Sequence, residues 1–187
     1  MTIRSAPPKL TYQDLRRLPE DLLRHELIDG EHIVSAAPIV KHQRVALNLA
    51  FIILAFVRPR GLGEVFMAPV DVLFSQFDVV EPDVLYVAAE NALRVGKDYV
   101  EGAPDLVIEV LSPSSRRIDK IRKRRLYEAH GVPEYWLADP ETDTIEVYRL
   151  TAAGRLELHG SSSLAAGDVL ETPLLPGLPI PLREVFA

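Results

Sequence analysis

The stretch APDLVIEVLSPS at residues 103–114 decides the fold. Inside it, residues 104–111 form an apolar, β-branched run of strand length with one carboxylate in its middle, Glu109. Strand alternation places Asp105, Val107, Glu109 and Leu111 on one face and Leu106, Ile108 and Val110 on the other. The second face is wholly apolar and predicts a core contact, so Glu109 looks toward a cleft or a helix. A charge within a buried strand is costly unless it is paired or coordinates a metal. Glu109 therefore demands a partner.

Downstream, the SPSS residues offer caps for a helix over 116–130, with Ile118, Ile121, Leu126 and Ala129 as its apolar stripe and Gly131 as its stop. PEYWLADP at 133–140 then reads as a strand. A strand, a helix and another strand predict an α/β arrangement, a mixed sheet flanked by helices. Further strands are expected at 144–150 and 155–160, before a proline-rich apolar tail over 172–186 that drapes over the rest.

Upstream, short extended runs at 64–68, 70–74 and 82–87 read as a strand series, followed by a connector over 88–103. Residues 39–57 form a helix that is apolar nearly all round, predicting burial against a sheet or across an interface between copies. Before it, Asp29-Gly30 between alternating segments signals a hairpin with Glu26 on its first strand, and residues 11–23 suggest a short helix broken near Pro19. No linker or low-complexity tract divides the chain, so one domain over 1–187 is expected, with its core at about 10–150 and a tail at 151–187.

The composition, 187 residues with 48% hydrophobic and 26% charged, is that of an ordinary globular domain. With no cysteine, a disulfide scaffold, a thiolate nucleophile and cysteine-ligated zinc or iron–sulfur centres are excluded. The longest uninterrupted apolar run, 49–57, is well short of the roughly 20 residues a membrane span requires. The first residues, with Arg4 and two prolines, do not read as a leader, and the cytoplasm is the expected location. A net charge of −6 means that a nucleic-acid role needs a local basic patch or a metal.

Asp83, after Pro82 at the start of an apolar strand, and Asp105 both sit in Pro-Asp pairs. Either alone reads as a turn residue accepting backbone hydrogen bonds. Together with Glu109, converging carboxylates suit a hard cation such as Mg²⁺ or Mn²⁺. The helix supplies seven Lys or Arg among residues 116–125, Arg116, Arg117, Lys120 and Arg124 among them, as a candidate surface for a polyanion or a plain solvated face. Within it Asp119, Lys123 and Tyr127 share one side, as an ordinary helical pair or as part of a site. Strand carboxylates holding a divalent ion, with a lysine beside them, are the parts of a phosphodiester-hydrolysing site. The five histidines show no metal-ligand spacing, and phosphate-loop and nucleophile-elbow motifs are missing.

ELIDGE at 26–31, PVDV and PDV in the middle, APDLVIEVLSPS, the D-x3-K-x3-Y helix, GVPEYWLADP and the closing LPGLPIPLREVF together resemble the Uma-two restriction-endonuclease family of the PD-(D/E)xK nuclease superfamily, over about residues 10–186. The resemblance implies a restriction-endonuclease-like mixed sheet flanked by helices, with a metal-dependent site acting on DNA. Asp83 and Glu109 match its metal ligands, Glu26 an auxiliary carboxylate, and His42 a position near the site. Where the superfamily lysine would stand, two residues after the strand carboxylate, this chain has Leu111. Lys123 from the following helix is the substitute. Asp105 competes with Asp83 for the metal, and Tyr127 and Ser112 are expected to line the site. The apolar 39–57 helix and cleavage of both strands of a duplex together imply a homodimer.

Overall fold

The computed structural model describes residues 8–19, 21 and 23–187. Residues 1–7, on which the reading of no leader rested, and Glu20 and Leu22 of the expected first helix lie outside the described residues. That helix is only one turn, α1 (Tyr12–Leu15), opened by a capping box between Thr11 and Asp14. Pro19 disfavours helical geometry at Leu18, so the helix does not run on to residue 23.

The hairpin forms as expected from β1 (Arg24–Ile28) and β2 (Glu31–Ser35), with Asp29 at φ 54° and Gly30 at φ 72°. Positive φ at both central residues is the turn whose twist matches the flanking strands. Helix α2 (Val40–Val57) follows and ends in a tight turn at Arg58–Arg60, where Gly61 adopts the left-handed conformation. Then come β3 (Gly63–Met67), β4 (Val72–Ser75), β5 (Asp78–Val80) and β6 (Val84–Ala88). The 88–103 connector contains a 3-10 helix at Ala89–Arg94 and a short β7 (Val100–Glu101). The decisive stretch is β8 (Leu106–Val110).

The helix expected over 116–130 differs in kind. Residues Ile118–Lys123 are π-helical and pass directly into α3 (Arg124–Ala129). Strands β9 (Glu134–Asp139), β10 (Thr144–Leu150) and β11 (Leu156–Ser163) follow. The tail carries a small ribbon of β12 (Val169–Leu170) and β13 (Ile180–Pro181), then α4 (Leu182–Val185).

In place of a single sheet the described residues form two mixed ones besides the tail ribbon. The larger has the order β11-β10-β9-β8-β6-β3, and the smaller β2-β1-β5-β4-β7. In the larger sheet only β8 and β9 pair in parallel, because the π turn and α3 form the crossover between them. Leu106, Ile108 and Val110 pack with Val45, Leu49 and Ile53 of α2. Val107 and Leu111, on the other face, pack with Tyr127, Tyr135 and residues of the smaller sheet. The alternation read from 104–111 is therefore the division between two apolar layers. Tail residues Leu175, Leu178, Ile180, Leu182 and Val185 join the α2 layer.

Residues Val40–Arg60 contain an 18-residue window with a mean hydropathy of 1.4, long and apolar enough, by length and composition, to span a membrane. Here one face of that helix, including Leu49, Ile53 and Val57, is fully buried against the sheet. Burial is not all round, since Val40, Leu47 and Phe51 face outward, Phe51 with 68% of its surface exposed.

Truncating Ile53 to alanine in this layer is expected to cost about 2–5 kcal/mol and lower Tm by roughly 10 °C. Phe51→Ala, from the outward stripe, is expected to stay within about 0.5 kcal/mol for the isolated monomer. Thermal and urea denaturation of the two variants check the contrast.

Candidate active site

Three elements bring carboxylates to one place. Glu26 projects from β1, Asp83 from the residue just ahead of β6, and Glu109 from β8. The π turn adds Asp119 and Lys123, and α3 adds Tyr127. All six side chains are at least nine-tenths buried, with Glu109 1%, Lys123 2% and Asp83 4% exposed. They sit at or behind the floor of a cleft of about 680 Å³, whose walls include Arg24, Glu26, His42, Glu81, Ser112 and Lys123.

The lysine is the hub. Lys123 Nζ lies 2.7 Å from Glu26 Oε1, 3.0 Å from Glu109 Oε1 and 3.8 Å from Asp119 Oδ1. Tyr127 donates its hydroxyl to the same Glu109 Oε1 at 2.6 Å. Burial disfavours the ammonium, but Glu109, Glu26 and Asp119 outweigh it and push the Lys123 pKa well above the ordinary lysine value. The group is a fixed cation and not a proton acceptor. Tyr127, raised well above its usual value by burial and by Glu109, remains a hydroxyl donor.

One cation does not balance this many buried carboxylates. Burial pushes the Glu109 carboxyl up to about 8, aided by Asp119, Asp83 and Glu26 and opposed by Lys123. Asp119 rises to about 6 and Glu81 to about 7, each chiefly through burial. Asp83 behaves oppositely. Burial acts against its charge, yet the His42 hydrogen bond, the Arg24 guanidinium and the Val110 backbone N–H hold its carboxyl down to about 2. Arg24 Nη2 lies 2.8 Å from Asp83 Oδ1, while Val110 N at 2.8 Å and His42 Nε2 at 3.2 Å approach Oδ2.

The other sequence candidates lie at varied distances from this centre. Asp105 is elsewhere, accepting from Ala88 N at 2.7 Å and Asn91 Nδ2 at 2.9 Å as a turn-type carboxylate. Arg116 is paired with Asp139 and Glu141, and Lys120 with Glu146. Arg124 stacks over the Tyr148 ring, and Arg117 is exposed. Leu111 is buried in the layer beneath the smaller sheet. Arg24 and Glu81 were missed. Arg24 was legible, since it stands two residues before Glu26 and alternation puts both on one face; Glu81 was not, because only the fold brings it to the cleft wall, where its backbone N–H donates to Glu26 Oε1 at 2.9 Å.

Among the described residues, no three His, Cys, Asp or Glu side chains are arranged to enclose a metal ion. Magnesium, however, is ordinarily held by one or two carboxylates, with water and substrate phosphate completing its shell. Asp83, held ionised, and Glu109, whose Oε2 accepts no hydrogen bond from the described residues, fit that requirement in donor chemistry.

The chain matches the family model Uma2, described as "Putative restriction endonuclease", over residues 12–183. It is 27% identical over 137 residues to an uncharacterized protein of Synechocystis sp., covering 72% of this chain and 77% of that one. Its fold is similar to the crystal structure of a "putative nuclease belonging to DUF820" from Anabaena variabilis, with a TM-score of 0.77 at 22% identity, covering 95% of this chain and 97% of that chain.

Because the Glu109 pKa is raised on folding, its contribution to stability is full below about pH 4.5 and is lost as pH rises through about 8. Wild-type stability is expected to decline between about pH 5 and pH 8, and Glu109→Gln to flatten that decline. Urea denaturation across this range is the measurement. Lys123→Met, which strands the carboxylates without their cation, is expected to cost about 3–5 kcal/mol near neutral pH.

Proposed function

This chain belongs to the Uma2 restriction-endonuclease family, and from that premise we propose that it is a metal-dependent endonuclease hydrolysing phosphodiester bonds in DNA. The observation that carries the reading is the 3.0 Å contact between Lys123 Nζ and Glu109 Oε1. A lysine reaching the strand carboxylate from a separate helix supplies the charge that Leu111 does not.

Asp83 and Glu109 would hold a Mg²⁺ or Mn²⁺ ion, which supplies Lewis acidity toward a phosphoryl oxygen and a water made acidic at neutral pH. Arg24, His42 and the Val110 N–H keep Asp83 ionised and oriented. Tyr127 and Lys123 hold Glu109 by one oxygen and leave the other open. Lys123, secured by Glu26 and Asp119, places a permanent positive charge where negative charge builds on the phosphoryl group. Arg116, Arg117, Lys120 and Arg124 are assigned to steering the polyanion, Arg117 with the most exposure among them. Asp105 is assigned a structural role. The outward stripe of α2 supports a homodimer, and the absence of cysteine a cytoplasmic site of action.

A second reading is a nuclease fold that binds nucleic acid or assembles without cutting, and Leu111 at the superfamily lysine position favours it. Cleavage of supercoiled plasmid in Mn²⁺ separates the two. The expected result is nicking abolished by EDTA and lowered at least about 100-fold by Glu109→Gln, Asp83→Asn and Lys123→Ala. Undiminished cutting by a clean Glu109→Gln preparation overturns the proposed site, and a folded wild-type protein that never cuts selects the second reading.

A further inference from the structure

A second cleft, of about 290 Å³, adjoins the first, and Pro69 and Glu81 line both. Its walls come largely from the 88–103 connector, whose purpose was not legible in the sequence. Tyr99 and Phe66, both half-buried, offer aromatic surface, and Lys97 stands exposed beside them with no ion pair among the described residues. Three further carboxylates, Asp71, Asp98 and Glu81, also line it. Tyr12 donates to Asp71 Oδ2 at 3.0 Å. Asp71 Oδ1 and the Glu81 carboxyl accept no hydrogen bond from the described residues.

This chemistry does not suit a phosphate, because carboxylates outnumber the single lysine. It suits the edge of a nucleobase. Carboxylates accept hydrogen bonds from exocyclic amino groups, as they do from cytosine, while aromatic rings stack on the face of any base. The catalytic floor points the same way, since side chains exposed by 4% or less, as Asp83, Glu109 and Lys123 are, cannot meet a phosphate on the outside of a stiff duplex unless the strand enters the cleft. Along residues 116–125 the cations Arg116, Lys120 and Arg122 are already paired with carboxylates, so among the described residues only Arg117, Arg124 and Arg125 of that stretch carry no salt bridge, a smaller basic surface for tracking a duplex than the seven Lys and Arg suggest.

We propose that the second cleft is a base subsite of the same active site: a single-stranded segment occupies the catalytic cleft, and an adjacent unpaired base bearing an amino group crosses the Pro69–Glu81 saddle to seat against Tyr99 and Phe66. Lys97 at the rim meets the phosphate of that nucleotide. The assignment rests on the nuclease reading for what happens at Glu109, but binding at the subsite is measurable without cleavage.

Fluorescence anisotropy of labelled oligonucleotides with the full chain, in Ca²⁺ to hold off turnover, tests it. Oligo(dC) is expected to bind at least about tenfold more tightly than oligo(dT) or a hairpin duplex, and an oligo(C) RNA arm reports whether the sugar matters. Tyr99→Ala is expected to weaken oligo(dC) binding about tenfold while Tyr99→Phe retains it. Lys97→Ala, at an exposed position that does not threaten folding, is expected to weaken it severalfold and lower its salt dependence. Equal affinity for oligo(dC) and oligo(dT), duplex bound as tightly as single strand, or no effect of either Tyr99→Ala or Lys97→Ala overturns the subsite. Oligo(dC) binding that depends on Tyr99, with no metal-dependent cleavage of any substrate, upholds the subsite and removes the nuclease reading; plasmid cleavage unchanged in Tyr99→Ala and Lys97→Ala does the reverse.

Discussion

The ammonium of Lys123 holds this structure's site together. It sits within 4 Å of Glu26, Glu109 and Asp119, three buried carboxylates from three separate segments. None of those groups is tolerable there alone, because an unpaired buried charge costs far more than one interaction returns. The ion cluster therefore ties β1, β8 and the π turn together. It links the two sheets at the point where the apolar layers leave a polar gap. The hydrophobic layers on either side of β8 supply the bulk of the stability, while the cluster sets how the elements align.

The π-helical turn is part of that constraint. Six residues, Ile118–Lys123, carry the irregularity, and two side chains of the buried cluster, Asp119 and Lys123, stand within it. A π turn is a disfavoured geometry that recurs at functional positions, where it re-aims side chains that a regular helix would direct elsewhere. Beyond it α3 is regular and places Tyr127 against the same Glu109 oxygen as Lys123. The cluster then carries more carboxylates than cations, and Glu109, Asp119 and Glu81 all have raised pKa values. Asp83 escapes this because Arg24, His42 and the Val110 N–H all contact its carboxylate directly. Two carboxylates a few residues from their respective strand ends are thus tuned in opposite directions by their surroundings.

Much of this was readable from local pattern. The period-two alternation of 104–111 correctly identified Leu106, Ile108 and Val110 as a core face, while the second apolar layer around Val107 and Leu111 was not read from it; Asp29-Gly30 correctly set the first hairpin, and Glu109 declared itself as a charge that needed a partner. The D-x3-K-x3-Y spacing placed Asp119, Lys123 and Tyr127 on one side of their helix. Asp83 and Asp105 were not separable in this way, because both occur in the same Pro-Asp context. Only the pairing of β6 with β8 shows that Asp83 faces Val110 and the cleft while Asp105 caps the far end of the strand. The basic helix shows a similar limit, since its charge was visible in the sequence and its partners Asp139, Glu141, Glu146 and Glu31 were not.

The sequence by itself determined the first hairpin, the main strands, helix α2, the apolar face of β8 and the residue types gathered in the candidate site, because these follow from periodicity and side-chain chemistry within short windows. Tertiary structure alone decided that the described residues form two mixed sheets besides the tail ribbon, that Lys123 bridges Glu26 and Glu109 across 97 and 14 residues of chain, and that Glu81 lines the cleft. It also joined the 88–103 connector to the cleft. These are long-range pairings, and their energies depend on burial and on opposing charges brought close by packing, neither of which any local window of sequence contains.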